Sequence, residues 1–378
     1  MEYVNLGDVA TYINGYAFKP EHRGKKGLPI IRIQDLNGNS HDLAFFDGKY
    51  PEQVEINTGD ILISWSGSLG VYKWNKGKAL LNQHIFKVLF NKIEIDKEYF
   101  CYAIRNSLSS MSQQTHGATM KHITKKDFDN ISIPYPDLIE QKKIANNLNI
   151  VNKLIMFYEK ELILFEQMVK ARFIEMFGDA VDNPMEWKKR KLQEIVTDDC
   201  TISYGIVQTG NDQEDGVPVF RPVDIVNKIP KLTELKKTTE EISNKYKRTI
   251  LKGRELLITV RANIADTCII DEEFKGCNVG RGIVPIRIQE DIMVLEFLKY
   301  LLDSKHLNDD IKSKAKGITL IQLNMEDLRE VELICPPLEK QIDFVEFAKQ
   351  VDKSREAVKK SLEKAKQLYD SLMQEYFG

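Results

Sequence analysis

A cluster of charged residues in the first half of the chain has the PD-x2-ExK pattern of metal-dependent nucleases; it comprises Pro136, Asp137, Glu140 and Lys142. The carboxylates of such a centre must converge on a metal ion from separate, facing segments of backbone. Here they stand together at the beginning of one helical pattern, where Asp137 and Glu140 have the spacing of a capping box. The pattern therefore favours a helix cap over a nuclease centre.

No other catalytic motif stands out. The sequence has no GxxxxGK[ST] loop, no GxGxxG after a strand, no GxSxG elbow and no HExxH helix. The segment NPMEW at Asn183 begins like the NPPY motif of amino-methylating enzymes but lacks its second proline and its aromatic residue. The six histidines show no metal-ligand spacing. We therefore expect a chain with no catalytic residues and no metal site.

The composition indicates a folded protein of two or more domains. Hydrophobic residues make up 42% of the 378 residues, which is enough for packed cores. No apolar run reaches the ~18 residues of a membrane span, and the N-terminus lacks the hydrophobic segment of a signal peptide. The five cysteines are scattered and form no CxxC pair, so we expect reduced, mostly buried thiols in a cytoplasmic protein. The net charge of −2 does not exclude nucleic-acid binding, which needs only a basic patch.

The chain is a tandem repeat. The segment GATMKHITKKDFDNISIPYPDLIEQKK begins at Gly117, and the similar segment GITLIQLNMEDLREVELICPPLEKQID begins at Gly317. Three more pairs match: LPIIRIQDL (28–36) with VPVFRPVDI (217–225), GDILIS (59–64) with GRELLIT (253–259), and EYFCYAI (98–104) with EFLKYLL (296–302). The spacing between the copies increases steadily along the chain, as loop insertions in two copies of one core would produce.

Each copy begins with a module of α/β type. Short β-rich runs alternate with turn residues. In the first copy these runs are LPIIRI, DILISW, HIFKVLF and ISIPYP, and in the second they are VPVFRP, ELLITV, GIVPIRI and VELICPP. One helical segment is predicted late in each module, around 99–107 and 293–303.

Each copy ends with a long helix that carries a heptad seam. Apolar residues recur at steps of four and three, a spacing typical of paired helices. The first seam is Ile144, Leu148, Val151, Ile155, Tyr158, Leu162, Phe165 and Val169. The second is Phe344, Ala348, Val351, Arg355, Val358, Leu362, Ala365 and Tyr369, with Arg355 as its polar exception. The helices end alike, in EMFG and EYFG, and we expect them to pair with each other.

This organisation resembles the specificity (S) subunit of type I restriction–modification systems over nearly the full length. The most specific feature is the transition G-x-T…D-[FL]…I-x-[IL]-x-[YP]-P…[EK]-x-Q into a long helix, present at Gly117–Gln141 and Gly317–Gln341. The second copy departs from the proline-rich pattern with Cys335 before its two prolines. The resemblance implies an α+β fold with two similar target-recognition domains and two long antiparallel coiled-coil helices, related as a pseudo-two-fold tandem repeat. The corresponding boundaries are 1–137 and 181–337 for the domains, and 138–180 and 338–378 for the spacer helices.

The same resemblance implies partners and a division of labour. Each domain would read one half of a bipartite target in double-stranded DNA. Two methylation subunits would supply S-adenosylmethionine and adenine-N6 methyl transfer, and motor-nuclease subunits would join for restriction. The resemblance thus implies no cofactor in this chain, with S-adenosylmethionine, ATP and Mg on the partner subunits.

Candidate DNA contacts are polar residues in glycine-flanked segments that follow apolar strands. Side chains with hydrogen-bonding groups in such loops can reach base edges or phosphates. In the first copy they are Ser64, Ser66, Ser68, Lys73, Lys76, Gln83, His84, Thr119, Lys121 and His122. In the second copy they are Arg261, Asn263, Arg281, Thr319 and Gln322. Arg32 and Arg221 recur in both copies, which favours a structural role, and Trp65 and Trp74 are expected to pack within the domain.

Two other functions are compatible with the residues. A coiled-coil adaptor could present two protein-binding modules and bind no DNA, which the slightly acidic balance favours. A nuclease could use the Asp137 cluster. A basic stripe on both modules would favour DNA reading, whereas loss of activity in Asp137→Ala with intact helix content would favour the nuclease.

Overall fold

The computed structural model describes residues 2–38, 42–114, 123–225, 230–317 and 321–378. The chain forms two compact units, of which the first comprises Met1–Glu159 and Lys360–Gly378 and the second Lys160–Lys359. Each unit therefore combines one repeated module with the beginning of one long helix and the end of the other.

In its described residues, the first module is built from short strands and four helices. The strands are β1 (Tyr3–Asn5), β2 (Thr11–Asn14), β3 (Leu28–Ile31), β4 (Ala44–Phe46), β5 (Glu55–Ile56), β6 (Ile61–Ser64), β7 (Gly70–Lys73), β8 (Ala79–Leu81), β9 (Ile85–Leu89) and β10 (Ser132–Pro134). The helices are α1 (Leu6–Val9), α2 (Ile33–Leu36), α3 (Lys97–Gln114) and α4 (Lys125–Asp129). They are followed by the long helix α5 (Leu138–Phe177).

The second module has a similar but shorter series of strands. Its strands are β11 (Lys189–Lys191), β12 (Val217–Phe220), β13 (Lys236–Thr238), β14 (Glu255–Thr259), β15 (Thr267–Ile270), β16 (Asn278–Val279), β17 (Ile283–Ile286) and β18 (Glu332–Ile334). Its helices are α6 (Glu240–Lys245), α7 (Leu295–Leu302), α8 (Lys305–Ser313) and α9 (Met325–Arg329), before the long helix α10 (Leu338–Phe377).

The sheets of the two modules share three strands each in the same relative order. The first module has sheets in the orders β2-β9-β6-β7 and β4-β3-β8-β5, and the second has β15-β14-β17 and β13-β12-β16. The parallel pair of β3 and β8 recurs as that of β12 and β16. In both modules the first strand pairs with the strand before the long helix, β1 with β10 and β11 with β18. The predicted tandem repeat is therefore confirmed in the fold.

The repeated transition begins each long helix in a defined way. Asp137 caps α5, because its Oδ1 accepts a hydrogen bond from the Glu140 N–H at 2.9 Å. Pro337, predicted in the first turn of α10, lies one position earlier, and its carbonyl oxygen accepts from the Gln341 N–H at 3.2 Å. The missing N–H of proline costs little at this position, where helical N–H groups have no partner.

The glutamine that ends each transition is a buried link to the module. Gln141 and Gln341 are fully buried. Oε1 of Gln141 accepts from the Asp96 N–H at 2.9 Å, and its Nε2 donates to the Pro136 carbonyl oxygen at 2.8 Å. Oε1 of Gln341 accepts from the Val294 N–H at 2.8 Å. Each glutamine thus ties the start of its long helix to the start of α3 or α7.

The two long helices are antiparallel in both units. In the first unit, the amide of Asn147 near the start of α5 donates to the hydroxyl of Tyr376 near the end of α10 at 3.2 Å. In the second, the rings of Phe173 near the end of α5 and Phe344 near the start of α10 are 5.4 Å apart. These contacts confirm the predicted antiparallel pairing.

The seam residues point away from solvent to different degrees. Seven of the predicted positions are buried, namely Ile144, Leu148, Val151, Phe344, Ala348, Val351 and Ala365. The other nine are half-buried: Ile155, Tyr158, Leu162, Phe165, Val169, Arg355, Val358, Leu362 and Tyr369. None of the predicted seam side chains is exposed.

Each module completes its core with helix ends from both copies. The core of the first module includes Ile144 and Leu148 from α5, and Tyr376 and Phe377 of α10 pack against it. The core of the second module includes Phe173 and Phe177 of α5, together with the first turns of α10. The FG endings are therefore core-completing segments.

Arg355, the polar exception in the seam, has a partner on its own helix. Its Nη2 lies 3.0 Å from Oδ1 of Asp352, and Oδ2 of Asp352 accepts from the Tyr300 hydroxyl at 3.4 Å. The Nε of Arg355 is enclosed and has no hydrogen-bond partner among the described residues. An enclosed, unpaired polar group costs about 1–3 kcal/mol, which offsets the gain from the ion pair.

We expect Arg355→Leu to leave the free energy of unfolding unchanged or to raise it by about 1 kcal/mol, because leucine removes the unpaired Nε and suits the seam. Urea unfolding of the full chain measures this change. Asp352→Asn is the control, since it removes the ion pair and keeps the shape of the side chain. A marked loss of stability in Arg355→Leu alone would show that the guanidinium is required.

The thiols have the predicted environment. Cys101, Cys200, Cys268 and Cys277 are buried, Cys335 is half-buried, and all five are free. Burial raises the pKa of the Cys268 thiol to about 12, which keeps this group protonated at neutral pH. Separately, no helix in the described ranges is long and apolar enough to cross a bilayer.

Candidate nucleic-acid interface

Several strands of the first module end at one edge, which we call the first loop edge: residues 14–17, 32–36, 65–69 and 82–84. The N–H of Asn82 donates to the Ile31 carbonyl oxygen at 3.0 Å, and the N–H of Gln83 donates to that of Tyr16 at 2.9 Å. The N–H of Trp65 donates to the carbonyl oxygen of His84 at 3.2 Å. These bonds join the loops that follow β2, β3, β6 and β8 into one surface.

The second module builds a corresponding edge with equivalent backbone bonds. This second loop edge comprises residues 204–207, 221–225, 260–266, 280–282 and Gln322. The Gly280 N–H donates to the Phe220 carbonyl oxygen at 2.8 Å, and the Val260 N–H donates to that of Gly282 at 2.8 Å. Ile206 bridges Gly280 as Tyr16 bridges Asn82. By these bonds, Gln83 is equivalent to Arg281 in the repeat, and Ser66 is equivalent to Arg261.

Both edges contain strained backbone. His84 on the first edge has φ of 73°, and Ala262 and Ala265 on the second have 61° and 65°. Residues other than glycine rarely adopt this left-handed region, which costs on the order of 1 kcal/mol or more per residue. Such strain is concentrated at functional sites. In addition, the Oδ1 of Asn82 and Nδ1 of His84 are enclosed without hydrogen-bond partners in the described part of the chain.

Most of the predicted contact residues within the described ranges lie on these edges. On the first edge, Gln83 and Ser68 are exposed and Ser66 and His84 are half-buried. On the second edge, Asn263 and Arg281 are exposed and Arg261 and Gln322 are half-buried. Arg261 and Gln322 come from distant parts of the sequence, and the guanidinium of Arg261 donates from Nη2 to Oε1 of Gln322. The guanidinium donors of Arg261 and the amide of Gln322 therefore lie side by side on this edge.

Ser64 is a correction to the sequence prediction. Its side chain is fully buried, and its hydroxyl donates to the carbonyl oxygen of Ser68. Thr259 is the equivalent in the second module, where it is also fully buried and donates to the carbonyl oxygen of Asn263. Both hydroxyls close the loop that follows a central strand. In this structure the Ser64 side chain therefore has no accessible surface that DNA could contact.

Lys73 and Lys76 lie at the other end of the β6–β7 hairpin from the first loop edge. The strands are antiparallel and pair Ser64 with Gly70 at the edge and Ile61 with Lys73 at the far end. Lys73 forms an ion pair with Glu98 of α3, and Lys76 stands in the exposed turn after β7. Closeness in sequence thus grouped residues that the hairpin separates. Four further candidates, Thr119, Lys121, His122 and Thr319, lie outside the described residues.

The two arginines predicted to be structural hold a turn at each edge. The Nε of Arg32 donates to Oδ2 of Asp35 at 3.1 Å, and the Nε of Arg221 donates to Oδ2 of Asp224 at 3.0 Å. The hydrogen bond to Asp224 raises the pKa of the Arg221 guanidinium. Gln34 and Val223 lie inside these turns and are exposed, but neither is among the contact residues predicted above. The repeated R-x-x-D spacing was the signal that could have pointed to them.

The tryptophans pack as expected. Trp74 is buried, and its Nε1 donates to the carbonyl oxygen of Gly77 at 2.5 Å. The ring of Trp65 stacks on Phe86 at 5.6 Å, and its Nε1 donates to the side chain of Asn14 at 3.3 Å. Trp65 therefore packs against the module beneath the first loop edge and stabilises that edge.

The Asp137 cluster does not have the geometry of a metal centre. Asp137 caps α5, and the neighbouring Glu140 carboxylate lies 3.2 Å from the Lys143 ammonium group. Within the residues that the structure describes, no group of three histidine, cysteine or acidic side chains could hold a metal ion.

Comparison with known families gives one match that covers most of the chain. The family model described as "Type I restriction modification DNA specificity domain" matches residues 1–164 and again 184–367. The two matches correspond to the two copies of the repeat.

Individual relatives are similar over almost the whole length. The type I restriction enzyme EcoBI specificity subunit of Escherichia coli is 26% identical over 397 residues, covering 98% of this chain and 83% of that protein. The type I restriction enzyme MjaVIII specificity subunit of Methanocaldococcus jannaschii is also 26% identical, covering 98% of this chain and 91% of that protein.

Two solved structures share the fold. The S subunit of a type I restriction–modification system from M. genitalium has a TM-score of 0.59 at 14% identity, covering 100% of this chain and 96% of that one. A chain from a structural study of complex assembly and conformational transition in the type I R-M system has a TM-score of 0.62 at 18% identity, covering 99% and 97%.

Proposed function

Because this chain belongs to the type I restriction–modification DNA specificity family, we propose that it reads a two-part DNA target, one part with each loop edge. Partner subunits then carry out the chemistry: methylation subunits with S-adenosylmethionine transfer a methyl group to adenine, and motor-nuclease subunits with ATP and Mg cleave DNA. The chain itself supplies sequence recognition and no catalytic group.

The observation that carries this proposal is the pair of loop edges. Their backbone frames share several hydrogen bonds, yet their side chains differ at equivalent positions: Gln83 against Arg281 and Ser66 against Arg261. The major groove offers a different set of donors and acceptors for each base pair. A constant frame with variable side chains is what two readers of two different DNA words require.

An exposed apolar surface on α5 is suited to binding a protein partner. Ile150, Leu154 and Phe157 follow one another at steps of four and three and are 49%, 42% and 56% exposed. The equivalent residues of α10 are Gln350, Ser354 and Ala357. An exposed apolar stripe of this kind is typical of an interaction surface, and we assign it to a methylation subunit.

The decisive test is selection from random duplexes by the full chain together with its co-encoded methylation subunit. We expect two short fixed words separated by bases without preference. Affinity should fall steeply with salt, because phosphate contacts release counterions. Equal affinity for all duplexes would contradict the proposal.

We expect Arg261→Ala to weaken binding by about 1–3 kcal/mol and to relax selection at one base pair of the second word, as loss of a guanine contact would. Arg254→Ala is the matched control. Arg254 precedes β14 and Arg261 follows it, so the five-residue strand separates them by ~16 Å. Arg254 also forms ion pairs with Glu290 and Glu296 at 3.3 and 2.7 Å. A loss that is uniform across sequences would instead identify Arg261 as a phosphate contact.

A further inference from the structure

Each loop edge presents one turn that an arginine and an aspartate hold in the same pose; we call residues 32–35 and 221–224 the clamped turns. In the first, the backbone N–H of Arg32 donates to Oδ2 of Asp35 at 2.7 Å. In the second, the N–H of Arg221 donates to Oδ2 of Asp224 at 2.8 Å, and its Nη2 donates to Oδ1 at 2.8 Å. Backbone and side-chain bonds together fix the orientation of the residue between them.

The third residue of each clamped turn faces solvent and differs in chemistry between the modules. In the first module it is the exposed Gln34. In the second it is Val223, whose exposed fraction is 70%. Most of this branched apolar side chain lies in water, and the rigid turn holds it there. Covering it with an apolar group is therefore favourable.

Val223 is one of several exposed apolar side chains at this place. Tyr204 and Val207 on the second loop edge are 43% and 42% exposed, and Ile321 beside Gln322 is 54% exposed. The first loop edge has Asn14 and Ala17 at the positions of Tyr204 and Val207. The second edge is therefore the more apolar of the two.

The clamped turn lies directly beside the arginine loop. A methyl group added to Gly282 would lie 2.4 Å from Cγ of Pro222 and 3.5 Å from Cβ of Arg261. Gly282 follows Arg281, whose exposed guanidinium has no hydrogen bond or ion pair within the described residues. An occupant of this edge thus meets cations for its phosphates and an apolar group at the same time.

We infer, on the basis of the proposed function, that Val223 is a specificity-determining residue that packs against the C5-methyl group of a thymine in the second DNA word. Among the four bases thymine alone carries a methyl group in the major groove, and apolar side chains recognise it by contact. Gln34 is the equivalent reader in the first module, where an amide suits the paired donor and acceptor of adenine.

The test compares thymine with deoxyuridine, which lacks the methyl group. The full chain with its methylation subunit is bound to its selected duplex, and each thymine of the second word is replaced in turn. We expect one replacement to weaken binding by roughly fourfold, the effect of one buried methyl group. Val223→Ala should lose a similar factor on the thymine duplex and show no further loss with deoxyuridine.

Leu232→Ala is the control variant, since Leu232 is 37% exposed in the same module but lies off the second loop edge. It should keep the full deoxyuridine effect. The inference is overturned if the second word contains no thymine, if no replacement weakens binding, or if Val223→Ala stays sensitive to deoxyuridine. Each of these results is compatible with sequence-selective DNA binding by the unaltered chain, so the proposed function would still stand. Absence of any selective binding would instead overturn the proposed function.

Discussion

Phe177→Ala is expected to destabilise the second unit by about 3–5 kcal/mol, the usual cost of removing a buried phenylalanine side chain. Phe177 is fully buried, and its ring lies 4.8 Å from that of Phe297 and 5.6 Å from that of Phe344. The Nε1 of Trp187 donates to the backbone carbonyl oxygen of Phe177 at 3.1 Å. The side chain therefore joins the end of α5 to the second module and to the start of α10.

Hydrogen exchange read out by mass spectrometry during urea unfolding measures the effect, because peptides of residues 160–359 can be followed separately from those of the first unit. Phe157→Ala is the control on the same helix. Phe157 is 56% exposed, so its removal should change the stability of the isolated chain by less than about 0.5 kcal/mol. Equal losses in the two variants would show that Phe177 does not complete the second core.

The role of Phe177 shows where sequence reasoning stops. The EMFG and EYFG endings were visible as a repeat, and the heptad spacing predicted the helices that carry them. Their function depends on contacts with residues far away in sequence, such as Phe297 and Phe344, and such contacts leave no local periodicity. The buried glutamines Gln141 and Gln341 are similar: their recurrence was evident, but not the distant backbone groups that they bond.

The loop edges show the same division. The rule that polar loops follow apolar strands selected Gln83, Arg261 and Arg281, which lie on the loop edges. It also selected Ser64, which is buried, and Lys73, which the antiparallel hairpin carries to the opposite end. Strand direction and pairing decide which loops meet, and neither can be derived from the composition of a loop. The exposed Val223 was not selected, because an apolar residue after a strand resembles a core residue in sequence.

A fragment ending at Gly178 is expected to form a two-fold dimer, because the first module would lack the helix end that completes its core in the full chain. That end brings Phe377, whose ring lies 5.4 Å from the ring of Tyr99. In the fragment, Phe177 of a second copy can take the place of Phe377, since the contact of Phe177 with Phe297 repeats that of Phe377 with Tyr99. A two-fold axis satisfies both copies at once.

Light scattering of the fragment measures this step. A shorter fragment ending at Glu159 lacks the substituting helix end and should remain monomeric. Phe177→Ala in the longer fragment should weaken the dimer, which links this result to the stability of the full chain. A monomeric fragment 1–178 would contradict the exchange of helix ends.

The consequence for recognition follows from the symmetry. A two-fold dimer carries two copies of the first loop edge that face opposite ways along DNA, so it should select an inverted repeat of the first word. Selection from random duplexes with the methylation subunit present tests this. Gln83→Ala should then weaken both halves of the repeat equally, because both come from one edge, whereas in the full chain it should affect the first word alone. Selection of direct repeats would be incompatible with a two-fold axis.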